Sequence, residues 1–187
     1  MDEEAIETLL RTLVKAPLGL DGKSEFRISV AGAQEKTALL KYKGRWVKPH
    51  GSTPTSHLFK RQMGTLPNGM NLSNSVENEY YCLKLLGAFD LPVARAEIAR
   101  FGRETVLVVE RFDRRWESAD SLRRLPQEDC CQALSFPPSM KYQNQGGPGM
   151  LEILNLLKAA DVPAKDQSTF IKAQILFWLM GATDGHA

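Results

Sequence analysis

The sequence predicts an α+β protein of two lobes, a β-rich half followed by an α-rich half. Three observations carry that prediction. Between Phe26 and Glu110, short runs of alternating or β-branched residues recur, from Ile28 and Val30 to the nearly unbroken Thr105-Val106-Leu107-Val108-Val109. Beyond Gly149 the apolar period becomes helical, over Met150–Ala160 and Asp166–Met180. Between them, Arg111-Phe112-Asp113-Arg114-Arg115 is a short polar passage that reads as a linker. The 187 residues suit one domain or one two-lobed domain, with lobes expected at 1–110 and 111–187. The natural ligand site of such a layout is the cleft between the lobes.

Each element has a local reason. Over Glu4–Val14, Ile6, Leu9, Leu10, Leu13 and Val14 share one helical face, with acidic residues leading and Arg11 and Lys15 closing, which suits the helix dipole. Pro17 and Gly19 end it. Phe26–Leu40 reads as strand, small-residue turn (Ala31-Gly32-Ala33) and strand. The sheet continues over Lys41–Val47 with a turn at Lys43-Gly44, and Thr55–Lys60 is a further strand. Gln62–Asn71, with two glycines, a proline and two asparagines, is a loop. Ser73 or Asn74 can cap a helix over Val76–Leu86 that turns Val76, Tyr80, Leu83 and Leu86 inward. Val93–Ala99 and Glu104–Glu110 form an antiparallel pair. Pro126–Gly149, rich in Pro, Gly, Gln, Asn and Ser, is read as irregular.

Composition narrows the function classes. With 43% hydrophobic and 25% charged residues, the chain is an ordinary globular sequence. A net charge of +2 makes no case for nucleic acid, and the five arginines between Arg111 and Arg124 read as a solvated, partly ion-paired face. The acidic start Met1-Asp2-Glu3-Glu4 is not a signal peptide, and the Ile175–Met180 run is too short to span a bilayer. Three cysteines, Cys82, Cys130 and Cys131, lack zinc spacing and read as reduced packing residues in a cytoplasmic protein.

Several residues are suited to phosphate chemistry. The backbone N–H groups of Val30-Ala31-Gly32-Ala33-Gln34 are not masked by large side chains, and Gly32 permits unusual dihedrals, so the turn suits an anion; it equally suits a plain hairpin. It is not a Walker A loop, lacking Gly-Lys-Ser/Thr. Lys60 closes a later strand, and Glu79 lies in the helix after it, with Glu77 as rival. A strand lysine held by a helix carboxylate beneath a glycine loop is the phosphate anchor of protein kinases. Glu110-Arg111-Phe112-Asp113 leaves a buried strand, where backbone groups suit an adenine edge and Phe112 or Val109 its ring; an ion pair of Asp113 with Arg114 or Arg115 is the alternative. Asp184, in Gly181-Ala-Thr-Asp-Gly-His-Ala187, follows a buried helix and can orient an attacking hydroxyl, although Asp-Gly is also a common turn.

Together, Phe26-Arg-Ile-Ser-Val-Ala-Gly-Ala-Gln-Glu-Lys-Thr37, Asn78-Glu-Tyr-Tyr-Cys82, Val109-Glu-Arg-Phe-Asp-Arg-Arg115, Arg124-Leu-Pro-Gln-Glu-Asp129 and Gly181–Ala187 closely resemble HipA, the serine/threonine kinase toxin family of bacterial toxin–antitoxin pairs. The likeness runs from about Ala5 to Ala187. It implies a two-lobed kinase fold related to phosphoinositide-kinase-like enzymes, ATP and Mg²⁺ as cofactors, and a protein substrate, glutamyl-tRNA synthetase, whose phosphorylation slows translation and favours persistence. It implies a HipB-like antitoxin partner that reads operator DNA, so that DNA contact is indirect. By position it implies Ser29 as the autophosphorylated serine, Lys60 on ATP phosphates, Glu110 and Phe112 on the adenine, Asp113 beside the nucleotide, Asp184 as catalytic aspartate and His186 on the nucleotide side. The family's N-terminal region before Met1, and the Lys-Asn and later metal-binding aspartate after Ala187, lie outside this sequence. The expectation is therefore that the isolated chain is a poor kinase, or a non-catalytic module that holds an antitoxin or partner chain. A small-molecule kinase of similar layout is a third reading.

Overall fold

The computed structural model describes residues 1–13, 34–66 and 68–187. Contacts group them into two compact units, one of Met1–Leu85 with Pro92–Leu125, the other of Leu86–Leu91 with Pro126–Ala187.

The first unit is built on a five-stranded antiparallel sheet. Helix α1 (Glu3–Thr12) begins where the Asp2 carboxylate accepts the Ala5 N–H at 2.8 Å, with Glu3 and Glu4 in its first turn. Strands β1 (Lys36–Tyr42), β2 (Arg45–Val47) and β3 (His57–Arg61) follow, with the β1–β2 turn at the expected Lys43-Gly44. A small ladder of β4 (Gly64–Thr65) and β5 (Asn71–Leu72) then leads to α2 (Ser75–Ala88). Strands β6 (Ala96–Phe101) and β7 (Glu104–Glu110) complete the sheet in the order β2-β1-β3-β7-β6.

Strand alternation divides this sheet into two faces. Leu39, Phe59, Val106 and Val108 meet Ile6, Leu10 and Leu13 of the α1 segment, with Trp46, Ala99 and Phe101 at the border. On the opposite face Leu107 and Val109 pack with Val76 of α2, joined by Leu58, Tyr80, Leu83, Ala94 and Ala96. Two carboxylates of α1 tie it to the β6–β7 turn: Gly102 donates its N–H to Glu3 at 2.9 Å and Arg103 donates to Glu7 at 3.1 Å. Gly102 has φ +57°, which favours glycine, and a Cβ there would lie 2.0 Å from the Glu7 carboxylate and displace it from its bond to the turn.

Three local expectations are corrected. The polar passage Arg111–Arg115 is not all linker, since β8 (Arg114–Ser118) pairs with β9 (Ser121–Arg124) as a hairpin that groups with the sheet unit. Its strands are charged and exposed, so they lack the apolar alternation that signals a strand. The expected loop Gln62–Asn71 contains the β4 strand and the start of β5. One of the first N–H groups of α2 is met by a residue before the β4–β5 ladder, where the Gln62 side-chain carbonyl accepts the Val76 N–H at 2.9 Å. The expected strand at Phe26–Val30, and the Ala31-Gly32-Ala33 turn, lie outside the described residues.

The second unit is helical. The region expected to be irregular holds α3 (Cys130–Ala133), opened by a reciprocal Asp129–Gln132 capping box, and two 3₁₀ turns. Helix α4 (Met150–Leu156) and α5 (Pro163–Met180) follow, and α5 ends on Gly181 in the left-handed region. Ile153 and Leu176 are buried, whereas Ile171, Ile175, Trp178 and Leu179 of α5 are exposed. Among the described residues no helix is long and apolar enough to cross a membrane.

Candidate functional site

β1 and β3 pair in a register that sets Lys36 opposite Lys60. Their side chains lie on the α2 face, since Leu39 and Phe59, each an odd number of residues away, lie on the α1 face. From α2, Glu79 reaches this face, and its carboxylate meets the Lys60 ammonium at 2.5 Å with both side chains partly buried. The rival Glu77 is bonded elsewhere, accepting the Gln62 amide at 2.5 Å. Two residues along a helix point about 200° apart, so both carboxylates cannot face one lysine.

Lys36, whose ammonium flanks the small-residue turn in sequence, is the member of this group that no sequence expectation tied to Lys60. It is 7% exposed. Burial pushes its ammonium below the ordinary 10.5, the Lys60 charge adds to this, and Glu79 opposes it. An anion placed on this face offsets both the lost hydration and the repulsion. The available signal was the alternation Lys36, Ala38, Leu40, which puts a cation on the same face as two small or apolar residues.

The remaining expected residues are distributed as follows. Ser29, Val30, Ala31, Gly32 and Ala33 lie outside the described residues. Gln34 donates its side-chain amide to the Arg61 carbonyl at 2.7 Å. Glu110 ends β7 opposite His57, its N–H donated to the Arg95 carbonyl at 2.8 Å and its carboxylate 3.9 Å from Arg95. The next N–H, of Arg111, is donated to the Ser56 carbonyl at 2.9 Å. Phe112 is 77% exposed, while Val109 belongs to the core against α2.

Asp113 is buried, and its carboxylate is held by arginines. Arg111 donates twice, at 3.0 and 2.8 Å, and Arg114 once at 2.6 Å. Arg114 also donates to the Thr55 carbonyl at 2.7 Å. Burial pushes the Asp113 carboxyl up, but the two guanidiniums outweigh it and keep it below the ordinary 3.8. The expected ion pair to Arg114 is present, joined by Arg111, while Arg115 pairs with Glu117 instead.

Asp184 and His186 lie in the helical unit. The Tyr142 hydroxyl donates to the Asp184 carboxylate, and the His186 ring stands edge-on to Tyr142 at 5.4 Å. Gly185 is not needed for a tight backbone there: its φ is not left-handed, and a Cβ would meet Phe177 at an ordinary 3.5 Å. Lys60 and Asp184 therefore belong to different units.

His57 gives the sheet unit a pH dependence. It lines a cavity of about 200 Å³ with Lys41, Arg95, Glu97 and Glu110, and packs edge-on against Trp46. Burial lowers its pKa from the ordinary 6.5, Glu110 and Glu97 oppose this, and Lys41 adds to it. The unfolded chain therefore takes up a proton near 6.5 that the folded chain refuses until lower pH. Stability is greatest above 6.5 and declines as pH falls through the folded-state value. Denaturant midpoints at pH 7.5 and 5.5 are expected to differ for the native sequence and to converge for His57→Gln.

Five antiparallel strands flanked by α1 and α2, with a sheet lysine bridged to a helix carboxylate, define a mixed α/β domain with a cationic strand pair on its α2 face. Residues 28–187 match the family model of the HipA-like C-terminal domain, and the chain belongs to that family. Over all 187 residues it is 34% identical to a protein named putative kinase Y4mE from Sinorhizobium fredii, of which it covers 43%. It is 35% identical over 131 residues to the serine/threonine-protein kinase toxin HipA of Shewanella oneidensis, covering 69% of this chain and 28% of that protein. Among solved structures it superposes, with a TM-score of 0.75 and 27% identity, on a chain of the Shewanella oneidensis MR-1 complex of HipA, HipB and operator DNA. That match covers 100% of this chain and 45% of the other. The chain thus spans less than half the length of these relatives.

Proposed function

We propose that this chain is the nucleotide-binding segment, with the start of the helical lobe, of a HipA-type serine/threonine protein kinase. The observation that carries the reading is the Lys60–Glu79 pair at 2.5 Å beside the cross-strand neighbour Lys36. Lys60, oriented by Glu79, binds oxygens of the ATP phosphates as a point charge, and Lys36 adds a second cation on the same face. The Val30–Gln34 backbone covers the phosphates, as the family resemblance implies. Glu110 and Phe112 take the adenine edge and ring, through the Glu110 carbonyl and the Phe112 N–H and side chain. Asp113 shapes this passage through its arginines rather than by touching the base.

Asp184 orients the target hydroxyl and accepts its proton, with Tyr142 fixing one carboxylate oxygen and His186 beside it. Mg²⁺ is expected with ATP. Among the described residues no group of three or more His, Cys, Asp or Glu side chains is placed to hold a metal. No metal-dependent step is therefore assigned to these residues. By resemblance, Ser29 is the regulatory phosphorylation site, the substrate is an aminoacyl-tRNA synthetase, and the partner is a HipB-like antitoxin through which operator DNA is reached. The names of the relatives support a kinase and an antitoxin-bound toxin.

Titration of Mg·ATP into the chain tests the reading. The native sequence is expected to bind, and Lys60→Met to bind roughly 10–100-fold more weakly, the loss of one charge-assisted phosphate contact. Equal affinity of the two proteins rejects the phosphate role of Lys60. The second reading, a non-catalytic module that holds a partner chain, is favoured by the exposed apolar residues Ile171, Ile175, Trp178 and Leu179. It predicts partner capture that survives Lys60→Met and fails when Trp178 and Leu179 are made polar.

A further inference from the structure

The α1 face of the sheet carries an ion network directly behind the lysines. Arg61, the residue after Lys60, turns to the opposite face and is only 18% exposed at its side chain. One Nη donates to Glu35 at 2.7 Å, and Nε and the other Nη meet Glu104 of β7 at 3.0 and 2.9 Å. The backbone of Arg61 grips the same segment, its N–H donating to the Glu35 carbonyl at 3.1 Å and its carbonyl accepting the Gln34 amide at 2.7 Å. One residue thus makes four kinds of contact to two chain segments, and three of those contacts fall on Gln34 and Glu35, immediately before Lys36.

We propose that Arg61 is a positioning residue for the phosphate face. It locks the entry to β1 against β3 and β7, and thereby fixes where Lys36 stands relative to Lys60. Glu35 and Lys36 are adjacent and point to opposite faces, as do Lys60 and Arg61. Pinning Glu35 and Arg61 on one face sets the Lys36 and Lys60 ammoniums on the other, while the clamp never touches the bound anion. Arg61 suits the task because its planar fork engages two carboxylates at once, which a lysine cannot reproduce. Gln34, expected on the nucleotide, is part of the same clamp by its side chain.

This inference rests on the nucleotide reading above, and the test separates the two. Arg61→Met keeps the stem length and removes the fork. Glu35→Gln, at a side chain 40% exposed, is the milder companion should the first variant not fold. For each protein the affinity for ATP and for adenosine is measured, with amide hydrogen exchange at Lys36–Ala38. The expected result is a roughly tenfold loss of ATP affinity in Arg61→Met, by analogy with removal of a group that orients a ligand-binding side chain. Adenosine affinity stays within about twofold, and exchange at Lys36–Ala38 accelerates. Arg61→Lys restores only part of the ATP affinity. A general loss of structure weakens both ligands alike, so the ATP-to-adenosine ratio reports positioning. ATP binding by the native chain with an unchanged ratio in both variants overturns the inference alone. Absence of ATP binding by the native chain overturns the nucleotide reading and the inference with it.

Discussion

Asp113→Asn is expected to destabilise the sheet unit by about 3–5 kcal/mol, the cost of removing one partner from a buried ion cluster. The reason is the company this carboxylate keeps. Arg111 and Arg114 both point their guanidiniums at it, and Arg114 is tied at its other end to the Thr55 carbonyl before β3. An amide in place of the carboxylate presents one acceptor oxygen and a donor NH₂ group to two cations that stay partly buried. The Asp113 carbonyl also accepts the Leu125 N–H at 2.9 Å, so the damage extends to the end of the β8–β9 hairpin. Urea denaturation at neutral pH measures the loss. Acid titration supplies a second readout. The folded carboxyl lies below the ordinary 3.8, so its contribution is complete above that pH and disappears as pH falls through the folded-state value. The Asn variant lacks that part of the acid sensitivity. A variant within about 0.5 kcal/mol of the native sequence, the range of ordinary surface changes, removes Asp113 from any structural role.

Phe59→Ala is the second large effect, expected at about 3–5 kcal/mol. Phe59 is fully buried in β3, edge-on to Trp46 at 4.8 Å and against Phe101 at 5.7 Å, within the cluster formed by Ile6, Leu10 and Leu13. Truncation leaves a cavity within the cluster of α1 and the neighbouring strands, and α1 is held at its N-terminal half by the Glu3 and Glu7 contacts to the β6–β7 turn. Free collapse onto the hole is therefore restricted, which places the cost at the upper part of the range. Phe59→Leu, which keeps most of the volume, is expected to lose less than half as much. Denaturant midpoints for the pair measure the difference, and equal loss in both assigns the effect to the ring contacts rather than to volume.

Much of this architecture is legible in the order of residues alone. α1, β3, α2, β7 and α5 follow from apolar period, because burial of one face is what holds each in place. Glu79 emerges as one of two candidates, and the choice between it and Glu77 requires the phase of α2, which a single lysine fixes only in three dimensions. The hairpin β8–β9 is hidden because Arg114, Arg115, Glu117, Arg123 and Arg124 give it no apolar alternation; its strands are held by backbone pairing and by the arginines' reach to acids. The Arg61 clamp is equally silent, since Glu35 and Glu104 are 69 positions apart in sequence and meet only through the β1-β3-β7 order. Non-local charge pairing leaves no periodic trace, whereas burial does.

The strict two-residue period of β3 has a consequence for how such a chain can vary. One inserted residue between His57 and Arg61 would exchange the two sides of the strand, carrying Lys60 into the α1 core and Phe59 toward α2 in a single event. Length changes are therefore barred from this strand, because each one misplaces a core ring and a site cation together. Gaps between related chains should spare β3.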